Sequence, residues 1–141
     1  MKPDDFSSVN LDLLRQNRQW QAQYRQLMEW GNLIQPKPEL RLADNKIRGC
    51  AADAWLSFDG KRFFFDSDSR IINGLAVLFL SQVERALQQG NSLEGVIDEL
   101  AWAEMLTELG LQKHLSPSRS NGFRALVRRA HELTDLKKSH P

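Results

Sequence analysis

A predicted β-hairpin around Asp59-Gly60 limits the folds open to this chain of 141 residues. Between Ala54 and Asp59, apolar side chains alternate with others, which is the periodicity of a strand with one buried face. Asp-Gly is a frequent two-residue connection between antiparallel strands, and three consecutive phenylalanines occur in the run 61–65 that follows. The sequence therefore predicts an antiparallel pair of strands near the middle of the chain.

Helical patterns lie on both sides of the hairpin. Aromatic and aliphatic residues recur at helical spacing between Trp20 and Gly31, which predicts an amphipathic helix of about three turns with its apolar stripe in the core. After the hairpin, Ser67 or Asp68 is the expected N-cap of a long buried helix, and Ser92 the expected cap of another. These patterns predict an α+β fold, in which a small antiparallel sheet packs against several helices.

The composition is that of one globular domain. With 41% hydrophobic and 26% charged residues, we expect a single domain over residues 1–141, frayed at 1–8 and 137–141. A net charge of +1 offers no long-range attraction to nucleic acid. The aliphatic stretch 75–80 is far too short to span a membrane, and the start of the chain lacks a hydrophobic signal region, so we expect a cytoplasmic protein.

The sequence contains one cysteine, Cys50. A lone thiol forms no internal disulfide, so any chemistry it performs is nucleophilic attack or the carrying of a group. Gly49 directly before it suits the tip of a loop, because a residue without Cβ adopts conformations closed to others. The alternative is that Cys50 is a small buried hydrophobic residue with a structural role.

The residues around Cys50 form part of a longer pattern. Asn45, Ile47, Gly49, Cys50 and Trp55 match N-x-[IV]-x-G-C-x-x-x-x-W, and in this the chain resembles the SufE family of sulfur acceptors, which includes the CsdE type. The other matching segments are W-x-x-x-Y at residues 20–24, E-W-G at 29–31, D-S-D at 66–68 and L-S-P-S-R-S-N-G at 115–122. The chain departs from the family pattern at Ala52, where many members have Ser or Asn, and at Ala54, where many have Val.

The resemblance implies a fold like that of SufE and of iron-sulfur scaffold proteins, with the Cys-bearing segment joined to the hairpin. It implies a sulfur relay: Cys50 takes persulfide sulfur from a cysteine desulfurase, a pyridoxal phosphate enzyme, stimulates that enzyme and passes the sulfur to an iron-sulfur scaffold or another acceptor. Such a protein is an accessory partner rather than an enzyme, with a transient persulfide and no stably bound cofactor or metal. The expected supporting residues are Gly49 and Arg119, and the expected partner contacts are Lys46, Arg48 and Asp68.

The local sequence leads to further expectations about the thiol. Lys46, Arg48 or Arg119 nearby would raise its thiolate fraction. The resting thiol is expected to pack against apolar neighbours, Trp55 or the 75–80 helix being the candidates, because an exposed persulfide is readily reduced or oxidised.

Two other functions remain open at this level. The first is an interaction module without catalytic activity. The second is a thiol hydrolase that pairs Cys50 with His114, since such residues meet only in the folded chain. A zinc site is not expected, because the sequence has no closely spaced pair of ligands.

Overall fold

The structure is a computed structural model that describes residues 1–139, and it describes side chains for residues 1–135. Within this part of the chain, five α-helices surround one two-stranded antiparallel sheet, which confirms the predicted α+β class. Three single turns of 3₁₀-helix lie in the connections, at Pro38–Leu40, Ala43–Asn45 and Gln112–His114. The elements are α1 (Asp12–Gln16), α2 (Trp20–Gly31), β1 (Ala54–Phe58), β2 (Phe63–Ser67), α3 (Arg70–Gln88), α4 (Glu99–Leu109) and α5 (Pro117–Ser139).

The hairpin forms as predicted, but its turn lies one residue further along the chain. The amide of Asp59 donates to the carbonyl of Arg62 (3.1 Å), so Gly60 and Lys61 are the two turn residues. Gly60 has φ +99°, which suits the first position of a tight hairpin turn. Asp59 instead fixes the turn with its side chain, whose Oδ1 accepts from the amides of Lys61 (2.8 Å) and Arg62 (2.7 Å).

The second strand continues further than the polar sequence suggests. Ser67 pairs with Ala54 in the sheet, and Ser69 is the N-cap of α3, where its Oγ accepts from the amide of Ile72 (3.3 Å). The expected cap at Ser67 or Asp68 is therefore wrong, because the ladder holds the backbone extended through Ser67. Ser67 is buried with a partner of its own, since its hydroxyl donates to the carbonyl of Asp53 (2.7 Å).

Helices α2 and α3 cross at two glycines. A Cβ added at Gly74 would lie 2.1 Å from the carbonyl oxygen of Leu27, and one added at Gly31 would lie 2.6 Å from that of Arg70. Both positions therefore require glycine because the two backbones touch. The expectation that the apolar stripe of α2 lies in the core is only partly confirmed. Leu27 is buried, whereas Trp20 is 46% exposed.

In the C-terminal half, the start of α4 differs from the expected one. Asp98, not Ser92, caps α4, and its Oδ1 accepts from the amide of Leu100 (2.9 Å). Gly110 ends α4 in the left-handed conformation. Most of the 115–122 motif is helical, since α5 begins at Pro117, a favourable first position for proline.

The prediction of frayed chain ends is wrong for part of each terminus. Of residues 1–8, Phe6 is in the core and the side chain of Asp4 is only 4% exposed. At the other end α5 runs to Ser139, and residues 140–141 lie outside the described residues. No helix in the described part of the chain combines the length and the apolar character needed to cross a membrane.

Candidate functional site

The loop that carries Cys50 is joined to the hairpin at its base. Lys46 forms an isolated antiparallel bridge with Trp55 of β1, and the amide of Ile47 donates to the carbonyl of Ala54 (2.8 Å). This pairing confirms the expectation that the Cys-bearing segment extends the small sheet. Residues 48–53 therefore form a loop whose two ends are both held at the edge of the sheet.

An ion pair and a glycine shape this loop. Lys46 Nζ lies 3.0 Å from Asp53 Oδ1, so opposite charges close the two ends of the loop. Gly49 has φ +87°, a conformation that places Cys50 at the tip and would be strained for a residue with Cβ. The nearest atom to a Cβ added at Gly49 would be Ala125 Cβ of α5, at 3.7 Å, so the restriction comes from the backbone and not from space.

The thiol is half-buried in a seat on the first turns of α5 and α3. A Cβ added at Gly122 would lie 2.9 Å from Cys50 Sγ and 3.3 Å from Ile72 Cδ1. The apolar shelter predicted from the sequence is therefore present: Cys50 packs against the hydrophobic core, with Gly122 beside its sulfur and Ile72 beside Gly122. The expected contact with Trp55 or with the 75–80 helix stays a prediction. No sequence pattern revealed this role of Gly122, although it is the last residue of the 115–122 motif.

Burial raises the pKa of the Cys50 thiol, and the nearby Asp53 carboxylate adds to that rise. The backbone amide of Ala52 donates to the sulfur and acts in the opposite direction. A main-chain group thus supplies the hydrogen bond that a polar side chain at position 52 would otherwise offer. In this conformation the surroundings of the thiol favour its neutral form.

The predicted basic neighbours do not lower the pKa of Cys50. Lys46 is paired with Asp53, and Arg48 is exposed with no ion pair or hydrogen bond from its guanidinium within residues 1–135. Arg119 lies in the first turn of α5 and contacts α2: its Nη1 is 3.4 Å from Tyr24 Oη, and its guanidinium lies 5.7 Å from the centre of that ring. The expectation that these cations raise the thiolate fraction is therefore wrong for the resting loop.

Asp68 lies at the surface in an arginine clamp. Both of its oxygens accept from Arg41, at 2.8 and 3.2 Å, and this bond lowers the pKa of Asp68. Arg41 also donates to buried Asp66 (3.0 Å) and covers the ring of Trp55 at 4.5 Å. These contacts lie at the open end of the hairpin, where Trp55 pairs with Asp66, and the proposed partner contact of Asp68 stays a prediction.

Among the described residues, no contact supports a thiol hydrolase that pairs Cys50 with His114. His114 stacks on Trp20 with ring centres 5.9 Å apart, and its backbone carbonyl accepts from Tyr24 Oη (2.5 Å). Among the residues that the structure describes, no three His, Cys, Asp or Glu side chains form a group able to hold a metal ion.

Comparison with known proteins identifies the family. The SufE sequence model, described as an Fe-S metabolism associated domain, matches residues 10–134. The chain belongs to the SufE family. This SufE-family chain is 38% identical over 117 residues to the sulfur acceptor protein CsdE of Escherichia coli (strain K12), covering 77% of this chain and 74% of that protein.

Two further relatives are SufE-like proteins without an established function. One, from Rhizobium meliloti (strain 1021), is 31% identical over 142 residues, covering 89% of this chain and 86% of the relative. The other, from Rhizobium etli (strain ATCC 51251), is 32% identical over 130 residues, covering 80% and 78%. The resemblance found in the sequence is thus confirmed, and it assigns the chain to a sulfur acceptor family of Fe-S metabolism.

Proposed function

We propose that this protein accepts sulfane sulfur from a cysteine desulfurase on Cys50 and delivers it to iron-sulfur cluster assembly. The observation that supports this proposal most strongly is the position of the single thiol. Cys50 is the only cysteine of the chain, and it lies at the tip of a loop that Gly49 shapes and Gly122 shelters. A member of a sulfur acceptor family with one thiol has one residue able to carry the sulfur.

The transfer balances without an added oxidant or reductant. The Cys50 thiol gives up its proton to the donor site or to water, and the thiolate attacks the outer sulfur of the persulfide on the desulfurase. A new S–S bond forms on Cys50 while the S–S bond of the donor breaks, and its electron pair leaves with the donor's thiolate, which takes up a proton. Removing the persulfide frees the desulfurase for another turnover, which is how the acceptor would stimulate it.

Placement contributes more to this step than acidity. A thiol with the ordinary pKa of about 8.5 is roughly 3% ionised at pH 7, and burial lowers that fraction further for Cys50. Lowering the pKa by about one unit gains less than about tenfold in rate, because the thiolate also loses nucleophilicity. Holding two sulfur atoms in line is worth effective molarities of about 10⁵ M or more. We infer that the loop leaves its seat at the surface of the donor, where thiol and persulfide are aligned.

The bonds that close the loop suit such a movement. The side chains of Lys46 and Asp53 are 51% and 62% exposed, and an exposed ion pair contributes only about 0–1 kcal/mol. A partner can therefore open the loop without disturbing the core beneath it.

The test is a transfer assay that measures the mass of the intact chain. The protein is incubated with the cysteine desulfurase of the same organism and with cysteine, then measured before and after reductant. We expect the wild type to gain one reducible sulfur atom, and Cys50→Ser to gain none while still binding the desulfurase. Ala51→Ser, which adds the same hydroxyl at the next residue, is the matched control and should be loaded like the wild type. A Cys50→Ser chain that still acquired sulfur would exclude Cys50 as the carrier.

A further inference from the structure

A groove lies between α2 and the start of α3, near the Cys50 seat. Its volume is about 470 Å³, and Trp20, Tyr24 and Met28 form its apolar wall. These three residues are spaced four apart, so they form one row along the helix. A cluster of exposed apolar side chains marks an interaction site, whereas scattered ones do not. Trp20 in this row is 46% exposed.

The rim of the groove is positively charged. Arg25 and Arg70 line it, and neither guanidinium has an ion-pair or hydrogen-bond partner within residues 1–135. Arg119 adds a third cation against the ring of Tyr24, whereas Glu29 is the acidic residue of the lining. A groove with an apolar wall and unpaired arginines at its rim is complementary to an apolar side chain flanked by carboxylates.

The groove and the thiol seat both include residues at the start of α3, and Arg119 of α5 connects them through its contact with Tyr24. Arg70 of the groove and Ile72 of the seat both belong to the first turn of α3. In α5, Arg119 precedes Gly122 by three residues, a rise of about 4.5 Å. An ordinary protein interface covers about 800 Å² on each partner, a patch roughly 30 Å across. An interface of that size over Cys50 is wide enough to extend to the groove.

We infer that this groove is the docking site for the sulfur donor. A segment of the cysteine desulfurase that carries an exposed apolar side chain between acidic residues enters beside Trp20 and Met28, and its carboxylates pair with Arg25 and Arg70. The inference rests on the proposed function, because the donor is taken to be a desulfurase. Docking on rigid helices supplies affinity that does not depend on the Cys50 loop, so the loop stays free to move while the two proteins are bound.

Calorimetric titration with the pyridoxal phosphate-loaded desulfurase of the same organism tests this docking site. We expect Trp20→Ala and Arg70→Glu each to raise Kd about tenfold or more, with the transfer rate at saturating donor unchanged. The loss for Arg70→Glu should shrink at high salt, because the contact is electrostatic. Leu100→Ala, at a more exposed apolar residue of α4, and Lys61→Glu, at the hairpin turn, are the matched controls and should bind like the wild type.

The outcomes separate the groove from the proposed function. If the wild type is loaded with sulfur while Trp20→Ala and Arg70→Glu bind as tightly as their controls, the groove is not the docking site and the sulfur relay stands. If the desulfurase neither binds nor loads the wild type, both ideas fall. Circular dichroism and thermal denaturation check folding, and Arg70→Glu is safe in this respect because an acidic residue suits the first turn of α3.

Cross-linking identifies the occupant. With p-benzoylphenylalanine in place of Gln21, which also lines the groove, we expect a photo-cross-link to an acidic and apolar segment of the desulfurase. A cross-link to a basic segment, or to a second copy of this chain, would overturn the inference.

Discussion

Two lysine–aspartate ion pairs flank the hairpin, and one is buried while the other is exposed to solvent. Lys37 is 3% exposed, and its ammonium donates to Asp4 Oδ2 (2.5 Å) and to the carbonyls of Gln35 (2.8 Å) and Phe65 (2.9 Å). All three of its N–H groups are therefore satisfied. This pair ties the N-terminal segment to β2 and leaves no buried charge unpaired.

The second pair, Lys46 and Asp53, lies in water at the base of the Cys50 loop. The ends of the loop are also fixed to the sheet by the Lys46–Trp55 bridge, by the Ile47 amide that donates to Ala54, and by the Ser67 hydroxyl that donates to the Asp53 carbonyl. The comparison teaches that burial, and not the residue types, decides whether an ion pair acts as an anchor or as a releasable contact. The hairpin is therefore anchored by a buried pair on one side, and the loop that we propose to move carries only an exposed pair on the other.

The largest expected effect comes from breaking the buried pair. Lys37→Met should lower the free energy of unfolding by about 3–5 kcal/mol, because Asp4 is left buried without its cation. Urea denaturation followed by circular dichroism measures the loss. Lys46→Met makes the same change at the exposed pair and should cost about 0–1 kcal/mol. Equal losses for the two variants would remove the distinction between anchor and releasable contact.

A second prediction concerns the seat of the thiol. Gly122→Ala places a methyl group 2.9 Å from Cys50 Sγ, well inside the usual contact distance of about 3.5–4.0 Å, so the thiol must move outward. We expect the free protein to react with a maleimide several-fold faster than the wild type. Gly95→Ala is the control, because a Cβ there meets no atom within 4 Å. An unchanged labelling rate for Gly122→Ala would show that the seat does not shield the thiol.

A smaller effect is expected in the pH dependence of the thiol. Because burial raises the pKa of Cys50, alkylation by iodoacetamide should reach half its maximal rate at a higher pH than for an unfolded peptide of the loop. Asp53→Asn should lower that midpoint, since it removes the carboxylate that disfavours the thiolate and releases Lys46. A midpoint below that of the peptide would contradict the buried, neutral thiol.

The same pKa shift has a consequence for stability. A raised pKa in the folded state means that the fold favours the protonated thiol. Its contribution is therefore complete below the unfolded-state pKa of about 8.5 and is lost as the pH rises through the folded-state pKa. The difference in free energy of unfolding between wild type and Cys50→Ser should decline above about pH 8.5. A difference that grew with pH would reverse the sign of the shift.

The sequence predicts the local features of the fold well and the long-range ones poorly. The hairpin, α2 and the candidate thiol follow from patterns within a few residues. Asp66, by contrast, belongs to a polar stretch yet is 3% exposed. Its partners are the amide of Lys37 (2.9 Å) and Nε of Arg41 (3.0 Å), 29 and 25 residues away, and no local pattern predicts such contacts.

The candidate site shows the same division. The motif around Cys50 identifies the thiol, and Gly49 has the loop conformation expected of it. The direction of the pKa shift could not be predicted, because the basic sequence neighbours suggested a lowered value while packing on Gly122 raises it. Desolvation depends on residues that meet only in the folded chain.

The glycine crossing of α2 and α3 has a consequence for how this surface changes over evolution. Main-chain atoms in contact at Gly31 and Gly74 set the distance between the two walls of the groove. Exchanging Trp20 or Met28 for another side chain would therefore reline the groove and leave its width intact. A descendant of this chain can follow sequence drift in its partner through a few surface residues, without redesigning its interior.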